Sequence, residues 1–158
     1  MTEFKRNLAV VIGIDHYQNG IQPLRTAAAD AQKIADILRS QHHYQLAHLD
    51  PTLESPILNE TATLQKLRHL FNEVLPNQIR PSQCDRLLIY FAGHGITRHI
   101  SEKGPQGFLI PQDANVKNHD SLLPMQELYE DLNRLECRHL LLILDCCFAG
   151  MFRWVNTR

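Results

Sequence analysis

The chain has 158 residues, of which 44% are hydrophobic and 21% charged, and its formal net charge at pH 7 is −1. This length and composition are typical of one globular domain, and the near-neutral charge gives no electrostatic basis for binding nucleic acid. No apolar run approaches the ~20 residues that cross a bilayer, and the amino terminus lacks a signal-peptide cleavage site, so we expect a cytoplasmic protein without a membrane partner.

Apolar segments of two kinds divide the chain into alternating strands and helices. Continuous apolar runs rich in β-branched residues are typical of strands buried on both faces, whereas apolar residues spaced three and four apart predict amphipathic helices. Because strands alternate with helices, we expect an α/β fold with a mostly parallel sheet and helices on both faces. In chain order the elements are a strand at 8–14, a helix at 26–40, a short strand at 44–49, a helix at 61–75, a strand at 86–92, a short extended piece at 108–111, a helix at 124–135 and a strand at 139–145.

Polar residues follow three of these strands at the point where each strand ends. His94 stands between two glycines directly after one buried strand, and Cys146 and Cys147 follow another. The loop after the first strand leads to Asp30. Because functional residues of parallel sheets gather beyond the carboxyl ends of the strands, we expect these side chains at one edge of one sheet.

His94 and Cys147 together provide the groups of a cysteine nucleophile and its base. A thiol attacks a carbonyl carbon efficiently when a base activates it and backbone N–H groups stabilise the oxyanion. The glycines beside His94 allow a sharp turn and a close approach of substrate, and Gly95 is a candidate oxyanion donor. We therefore predict a cysteine-type peptidase with His94 as the base and Cys147 as the nucleophile.

Zinc binding is the other common use of histidine and cysteine. No Cys-x-x-Cys and no His-x-x-x-His lies near the pair, so we expect neither a metal nor another cofactor. The four cysteines lack the density of a disulfide scaffold, and reduced thiols are expected. Cys84 and Cys137, each just before a strand, are expected to be structural.

At these residues the sequence resembles the caspase/metacaspase superfamily of cysteine peptidases. The segment YFAGHG at 90–95 looks like the family's histidine motif, and DCCFAG at 145–150 is similar to the metacaspase nucleophile motif Asp-Ser-Cys-His-Ser-Gly. Residues 8–17 and 107–113 resemble the first strand and a further segment of bacterial and plant-type members. The histidine lies 147 − 94 = 53 residues before the cysteine, close to the ~50 of caspases. The resemblance implies a caspase-like three-layer α/β/α sandwich and a thiol-protease hydrolase that uses this histidine and cysteine.

The sequence departs from the family pattern at two places. Cys146 replaces the motif's serine and is a rival nucleophile, although strand alternation puts Cys147 on the side of Asp145 and turns Cys146 toward the core. Metacaspases are often activated by calcium through acidic residues after the histidine. Residues 96–107 contain Glu102 as their one acid, which does not favour calcium activation.

Two carboxylates are candidates for recognising the substrate residue before the scissile bond. Asp145 raises the pKa of a neighbouring thiol, so its presence suggests a duty other than activating Cys147. In metacaspases the matching aspartate helps to form the pocket for Arg or Lys before the scissile bond, and the resemblance assigns a second pocket aspartate to Asp30. The alternative is a caspase-type reader of Asp substrates, for which Arg25 is the nearest candidate.

The resemblance also suggests what accompanies this chain. Residues 1–158 are expected to be the large-subunit part of one caspase-like peptidase domain, ending before the small-subunit strands. We expect an endopeptidase that prefers Arg over Lys, is made as a zymogen and acts in cell death or defence. Its expected partners are a protein or peptide substrate, a carboxyl-terminal small-subunit fragment of the same gene and a fused or associated sensor module. The alternative function is a catalytically silent caspase-like interaction module.

Overall fold

The strands and helices alternate along the chain in a computed structural model that describes residues 4, 6–50, 52–79 and 84–147. No helix in these ranges combines the length and the apolar character that a membrane span requires. The strands are β1 (Asn7–Gly13), β2 (Gln45–Leu46), β3 (Ile57–Leu58), β4 (Arg86–Ala92), β5 (Gly95–Ile100), β6 (Gly104–Leu109), β7 (Leu123–Pro124) and β8 (His139–Asp145). The helices are α1 (Ala27–His42), α2 (Leu64–His69), a π turn (Leu70–Val74), α3 (Leu75–Gln78) and α4 (Met125–Asn133), with 3₁₀ turns at Asn59–Thr61, Ser101–Lys103 and His119–Ser121.

A parallel sheet in the order β2-β1-β4-β8 forms the centre of the described structure, and β3 pairs with the carboxyl end of β1. β1 and β4 pair over their full length, from Asn7 opposite Arg86 to Gly13 opposite Ala92. β4 and β8 pair likewise, and Ala92 lies opposite Asp145. Strands β1, β4 and β8 therefore end together, which brings the residues that follow them to one edge.

Helices cover both faces of this sheet and give three layers. On one face, the small side chains of Ala27, Ala31 and Ala35 of α1 pack against β1 and β4. A Cβ on Gly13 would lie 2.5 Å from the Cβ of Ala31, so the glycine lets α1 approach β1 closely. On the other face, apolar side chains from α2, α3 and α4 form the larger core with the alternate residues of β1 and β4. The predicted three-layer α/β/α fold is confirmed.

A smaller antiparallel sheet, β5-β6-β7, follows β4 directly. The sequence predicted a short extended piece at 108–111 in this region, whereas β6 spans Gly104–Leu109 and pairs with β5 over its full length. Glycine and proline are depleted in strands, and β6 contains both, so the β5–β6 hairpin was not predicted. β7 pairs only with Phe108 and Leu109 of β6, so it does not reach Pro105, and the missing backbone N–H of the proline is tolerated.

Outside this antiparallel sheet, most bounds of the predicted elements agree with the structure, and two predicted elements differ clearly. The strands at 86–92 and 139–145 have the predicted bounds. The helix predicted at 61–75 begins at Leu64 and continues to Gln78 through a π turn. That turn comes just before Pro76, which has no backbone N–H to donate and so disfavours a regular α-helical turn. The strand predicted at 44–49 forms ladder pairs only at Gln45 and Leu46.

Candidate active site

His94 and the two adjacent cysteines lie at the ends of neighbouring strands. His94 comes two residues after β4, and Cys146 and Cys147 come directly after β8. The N–H of Gly93 donates to the carbonyl of Asp145 at 3.3 Å, so the hydrogen bonding between β4 and β8 continues past their last ladder pair. The structure thus brings the predicted histidine and cysteines to one edge, as parallel topology requires.

Two groups from the loop after β1 hold the histidine. The backbone N–H of His94 donates to the hydroxyl oxygen of Tyr17 at 2.8 Å, and the two rings lie 4.9 Å apart with an interplanar angle of 44°. The imidazole Nε2 lies 2.7 Å from the carbonyl oxygen of Gln22. Because a carbonyl only accepts, Nε2 carries the proton in this hydrogen bond. The neutral imidazole therefore keeps a lone pair on Nδ1 with which to take a proton.

The two adjacent cysteines have different surroundings. Cys147 is exposed, whereas Cys146 is half-buried and packs against the larger core beside Leu144. Burial, with the charges of Cys147 and Asp145 as smaller causes, raises the pKa of Cys146 to about 11. Cys146 therefore remains a thiol at neutral pH, while the sulfur of Cys147 is open to solvent.

Gly95 lies against the backbone of the exposed cysteine. A Cβ at this position would collide with the carbonyl oxygen of Cys147 and would lie 3.3 Å from the Sγ of Cys146. Gly95 begins β5 and pairs with Leu109. The absence of a side chain thus lets β5 leave the histidine turn in direct contact with the segment after β8. Its role as an oxyanion donor stays a prediction.

The two candidate specificity residues flank one tyrosine on the α1 face of the sheet. The hydroxyl of Tyr90 donates to Oδ2 of Asp145 at 3.2 Å. Burial of the ring raises the pKa of Tyr90 to about 12, with further contributions from the charges of Asp145 and Asp30. Asp30 also forms an exposed ion pair with Lys33 at 3.7 Å. Arg25, the alternative reader, is exposed before α1.

Three groups of this site were not predicted from the sequence. The place of Tyr90 beside Asp145 depends on the register of β4 against β8, which sets Ala92, two residues after Tyr90, opposite Asp145 and which the sequence does not give. Tyr17 carried a weak signal as an aromatic residue just beyond the first strand. The carbonyl of Gln22 had none, since any residue offers the same backbone oxygen.

The described residues do not fit a calcium site. They include no group of three or more His, Cys, Asp or Glu side chains placed to hold a metal ion. Calcium prefers six to eight oxygen ligands, whereas residues 96–107, which follow the histidine turn, contribute the carboxylate of Glu102 alone.

Comparisons with known proteins agree with this geometry. A family model described as the caspase domain matches residues 6–154. The chain is 24% identical over 150 residues to a probable protease of a Desulfuromonadales bacterium, an alignment that covers 90% of this chain and 18% of that protein. Its fold is similar to a crystal structure of a Geobacter sulfurreducens protein, with a TM-score of 0.69 and 17% identity over 90% of this chain and 51% of the other.

The chain thus spans less than a fifth of the probable protease and about half of the structural neighbour. The likeness to the crystal structure concerns the fold alone, whereas the family match covers nearly the whole sequence. The resemblance found in the sequence is confirmed: the chain belongs to the caspase domain family of cysteine peptidases.

Proposed function

We propose that this chain carries the catalytic dyad of a cysteine endopeptidase, with His94 as the base and Cys147 as the nucleophile. The observation that carries the proposal is the placement, at the ends of two adjacent strands, of an exposed cysteine after β8 and of a histidine after β4 whose Nε2 is already bound to the carbonyl of Gln22. Family membership supports the reaction class.

The proposed reaction has two stages. The sulfur of Cys147 attacks the scissile carbonyl carbon while its proton passes to Nδ1 of His94, and the backbone N–H of Gly95 stabilises the oxyanion. The C–N bond then breaks, His94 returns the proton to the leaving amine, and a thioester remains on Cys147. In the second stage water attacks the thioester with His94 as base, which releases the acid and restores the thiol.

The proposed specificity is cleavage after Arg, with Lys second. Asp145 accepts a hydrogen bond from Tyr90, and the charge of Asp30 contributes to the raised pKa of the same hydroxyl, which supports a shared acidic lining on the α1 side of the nucleophile. A guanidinium binds a carboxylate through two parallel hydrogen bonds, whereas an ammonium is a point charge, so such a lining favours Arg. An acidic pocket also repels Asp substrates.

A second segment is proposed to cover β8 in the active enzyme. Leu140, Leu141 and Ile143 of this strand are 41%, 53% and 41% exposed. β8 is also the last strand of the described parallel sheet, and an apolar edge strand presents unpaired backbone groups with which another strand can pair. We propose that the small-subunit part of the same gene product pairs there, which fits synthesis as a zymogen. Robust turnover by residues 1–158 alone would contradict this step.

The dyad is tested in the full-length protein with a fluorogenic peptide that ends in Arg and a thiol-reactive peptidyl probe of the same sequence. We expect Cys147→Ala and His94→Ala to lower kcat/KM by at least about a thousandfold, and Cys147→Ala to abolish labelling. The matched control, Cys146→Ala, keeps most of the activity. Loss of labelling in Cys146→Ala but not in Cys147→Ala would reverse the assignment. No labelling of the wild-type protein would favour a silent interaction module.

A further inference from the structure

A second pair of cysteines lies at the opposite end of the strand pair that carries the dyad. Cys84 and Cys137 each precede their strand by two residues, β4 and β8 respectively, and their Sγ atoms are 3.1 Å apart. The ladder places residue n of β4 opposite residue n + 53 of β8, as with Arg86 and His139. The two cysteines obey the same offset, since 137 − 84 = 53, so the register of the sheet itself brings them together.

Local hydrogen bonds keep the two sulfurs facing each other. The thiol of Cys84 approaches the carbonyl oxygen of Arg86 at 3.4 Å, and the thiol of Cys137 approaches the carbonyl oxygens of His139 at 3.4 Å and of Cys84 at 3.7 Å. Both cysteines are free. Their separation is about 1 Å longer than an S–S bond of ~2.05 Å, so small rotations of the side chains suffice to join them.

We propose that Cys84 and Cys137 form a redox modification site, which a hydroperoxide converts into a reversible disulfide between the amino ends of β4 and β8. The inference does not rest on the proposed protease activity, because it uses only the geometry of the two thiols and the strand register.

Burial orders the two steps of the reaction. Cys84 is 5% exposed and Cys137 is half-buried, so the peroxide reaches Cys137 first. The O–O bond breaks as the sulfur of Cys137 gains an oxygen, giving a sulfenic acid and one water from hydrogen peroxide, or one alcohol from an organic hydroperoxide. The sulfur of Cys84 then attacks, the S–O bond breaks, an S–S bond forms and a water leaves. Two thiols are oxidised by two electrons in total, and one peroxide is reduced.

The surroundings of Cys84 agree with this order. Burial and the neighbouring Cys137 raise the pKa of Cys84 to about 12, so Cys84 is not the thiol that peroxide oxidises first; the charge of Arg6 is a smaller cause in the opposite direction.

The disulfide joins the exposed strand β8 to the centre of the sheet. It closes a covalent loop that contains β4, the antiparallel sheet and α4, and that ends two residues before β8. Cross-linking removes conformational freedom from the unfolded chain, so the oxidised protein unfolds at a higher temperature.

The site is tested on the reduced wild-type protein treated with hydrogen peroxide. Trypsin places Cys84, Cys137 and the pair Cys146–Cys147 in three different peptides, residues 69–86, 135–138 and 139–153, because the bond between Arg80 and Pro81 resists cleavage. We expect a cross-linked species of the first two peptides that dithiothreitol separates. We also expect a rise in Tm of roughly 5–10 °C that dithiothreitol reverses.

Two variants provide the controls. Cys137→Ser prevents both the cross-link and the rise in Tm, and Cys146→Ser keeps both. Peptide mapping of the wild-type protein does not depend on whether a variant folds. The proposal is overturned if Cys84 and Cys137 remain free or form sulfinic acids while the peptide with Cys146–Cys147 is oxidised, or if the cross-link forms without a change in Tm.

Discussion

The hydroxyl oxygen of Tyr17 accepts a hydrogen bond from the backbone N–H of His94, and its ring lies tilted against the imidazole. We infer that Tyr17 is a positioning residue for the proposed base. Tyr17→Phe leaves the ring in place and removes the acceptor of a half-buried N–H, which costs about 1 kcal/mol. We expect kcat to fall about fivefold with KM nearly unchanged, measured with the Arg peptide.

Tyr44→Phe is the matched control for this prediction. Tyr44 lies near the start of β2, at the amino end of the sheet, beside Arg39 and Glu54. The same loss of a hydroxyl there is expected to leave kcat unchanged. Equal effects of the two substitutions, or an effect of Tyr17→Phe on Tm alone, would remove the positioning role.

Alkylation should distinguish the two adjacent cysteines by pH. With a pKa of about 11, roughly one Cys146 in three thousand is a thiolate at about pH 7.5, and iodoacetamide reacts with thiolates. We expect Cys147 to be modified first, and the rate at Cys146 to rise roughly a hundredfold between about pH 7.5 and 9.5. Fragment-ion mass spectrometry of the shared tryptic peptide measures both rates. Faster modification of Cys146 near neutral pH would contradict the burial argument.

The sequence predicted the central sheet better than the surroundings of the site. The strands β1, β4 and β8 are nearly continuous apolar runs, so their positions, and with them the meeting of His94 and Cys147 at one edge, followed from pattern and topology. The contacts of Tyr17 and Gln22 with the histidine depend on the path of a loop that no periodicity describes. The pairing of Cys84 with Cys137 required the register of β4 against β8, which a sequence alone does not give.

Gly95→Ala tests whether close packing at the nucleophile matters. The new Cβ would collide with the carbonyl oxygen of Cys147, so the backbone of the proposed nucleophile must move. A displacement of about 1 Å costs about a hundredfold in rate when reacting groups are prepositioned. We expect such a loss in kcat/KM, with a smaller effect on labelling of Cys147 by iodoacetamide. Full activity together with unchanged Tm would mean that the chain adjusts without moving the thiol.

Alkaline pH should destabilise the reduced protein through its buried thiols. In the folded state Cys84 and Cys146 hold their protons to a pKa of about 12 and about 11, whereas in the unfolded chain they release them near pH 9. Above pH 9 the folded state therefore binds more protons, and the free energy of unfolding decreases as the pH rises toward these values. Urea unfolding at about pH 8 and 10.5, with reductant, should show a lower midpoint at the higher pH. A Cys84→Ala variant should show a smaller decrease, and an equal decrease would exclude this thiol as a cause.

The proposed Arg pocket makes a prediction about Tyr90, which donates to Asp145 and feels the charge of Asp30. Its high pKa keeps the hydroxyl protonated, so it orients the carboxylate of Asp145 throughout the neutral range. Tyr90→Phe removes that donor and leaves the carboxylate free to rotate, at a cost of about 1 kcal/mol in substrate binding. We expect KM for the Arg peptide to rise about fivefold with kcat nearly unchanged, and Asp145→Asn to have a larger effect on the same constant.

In the double variant the tyrosine substitution should add little, because it acts through the aspartate. Additive effects would separate Tyr90 from the pocket, and undiminished Arg cleavage by Asp145→Asn, or a preference for Asp peptides, would assign specificity to Arg25 instead.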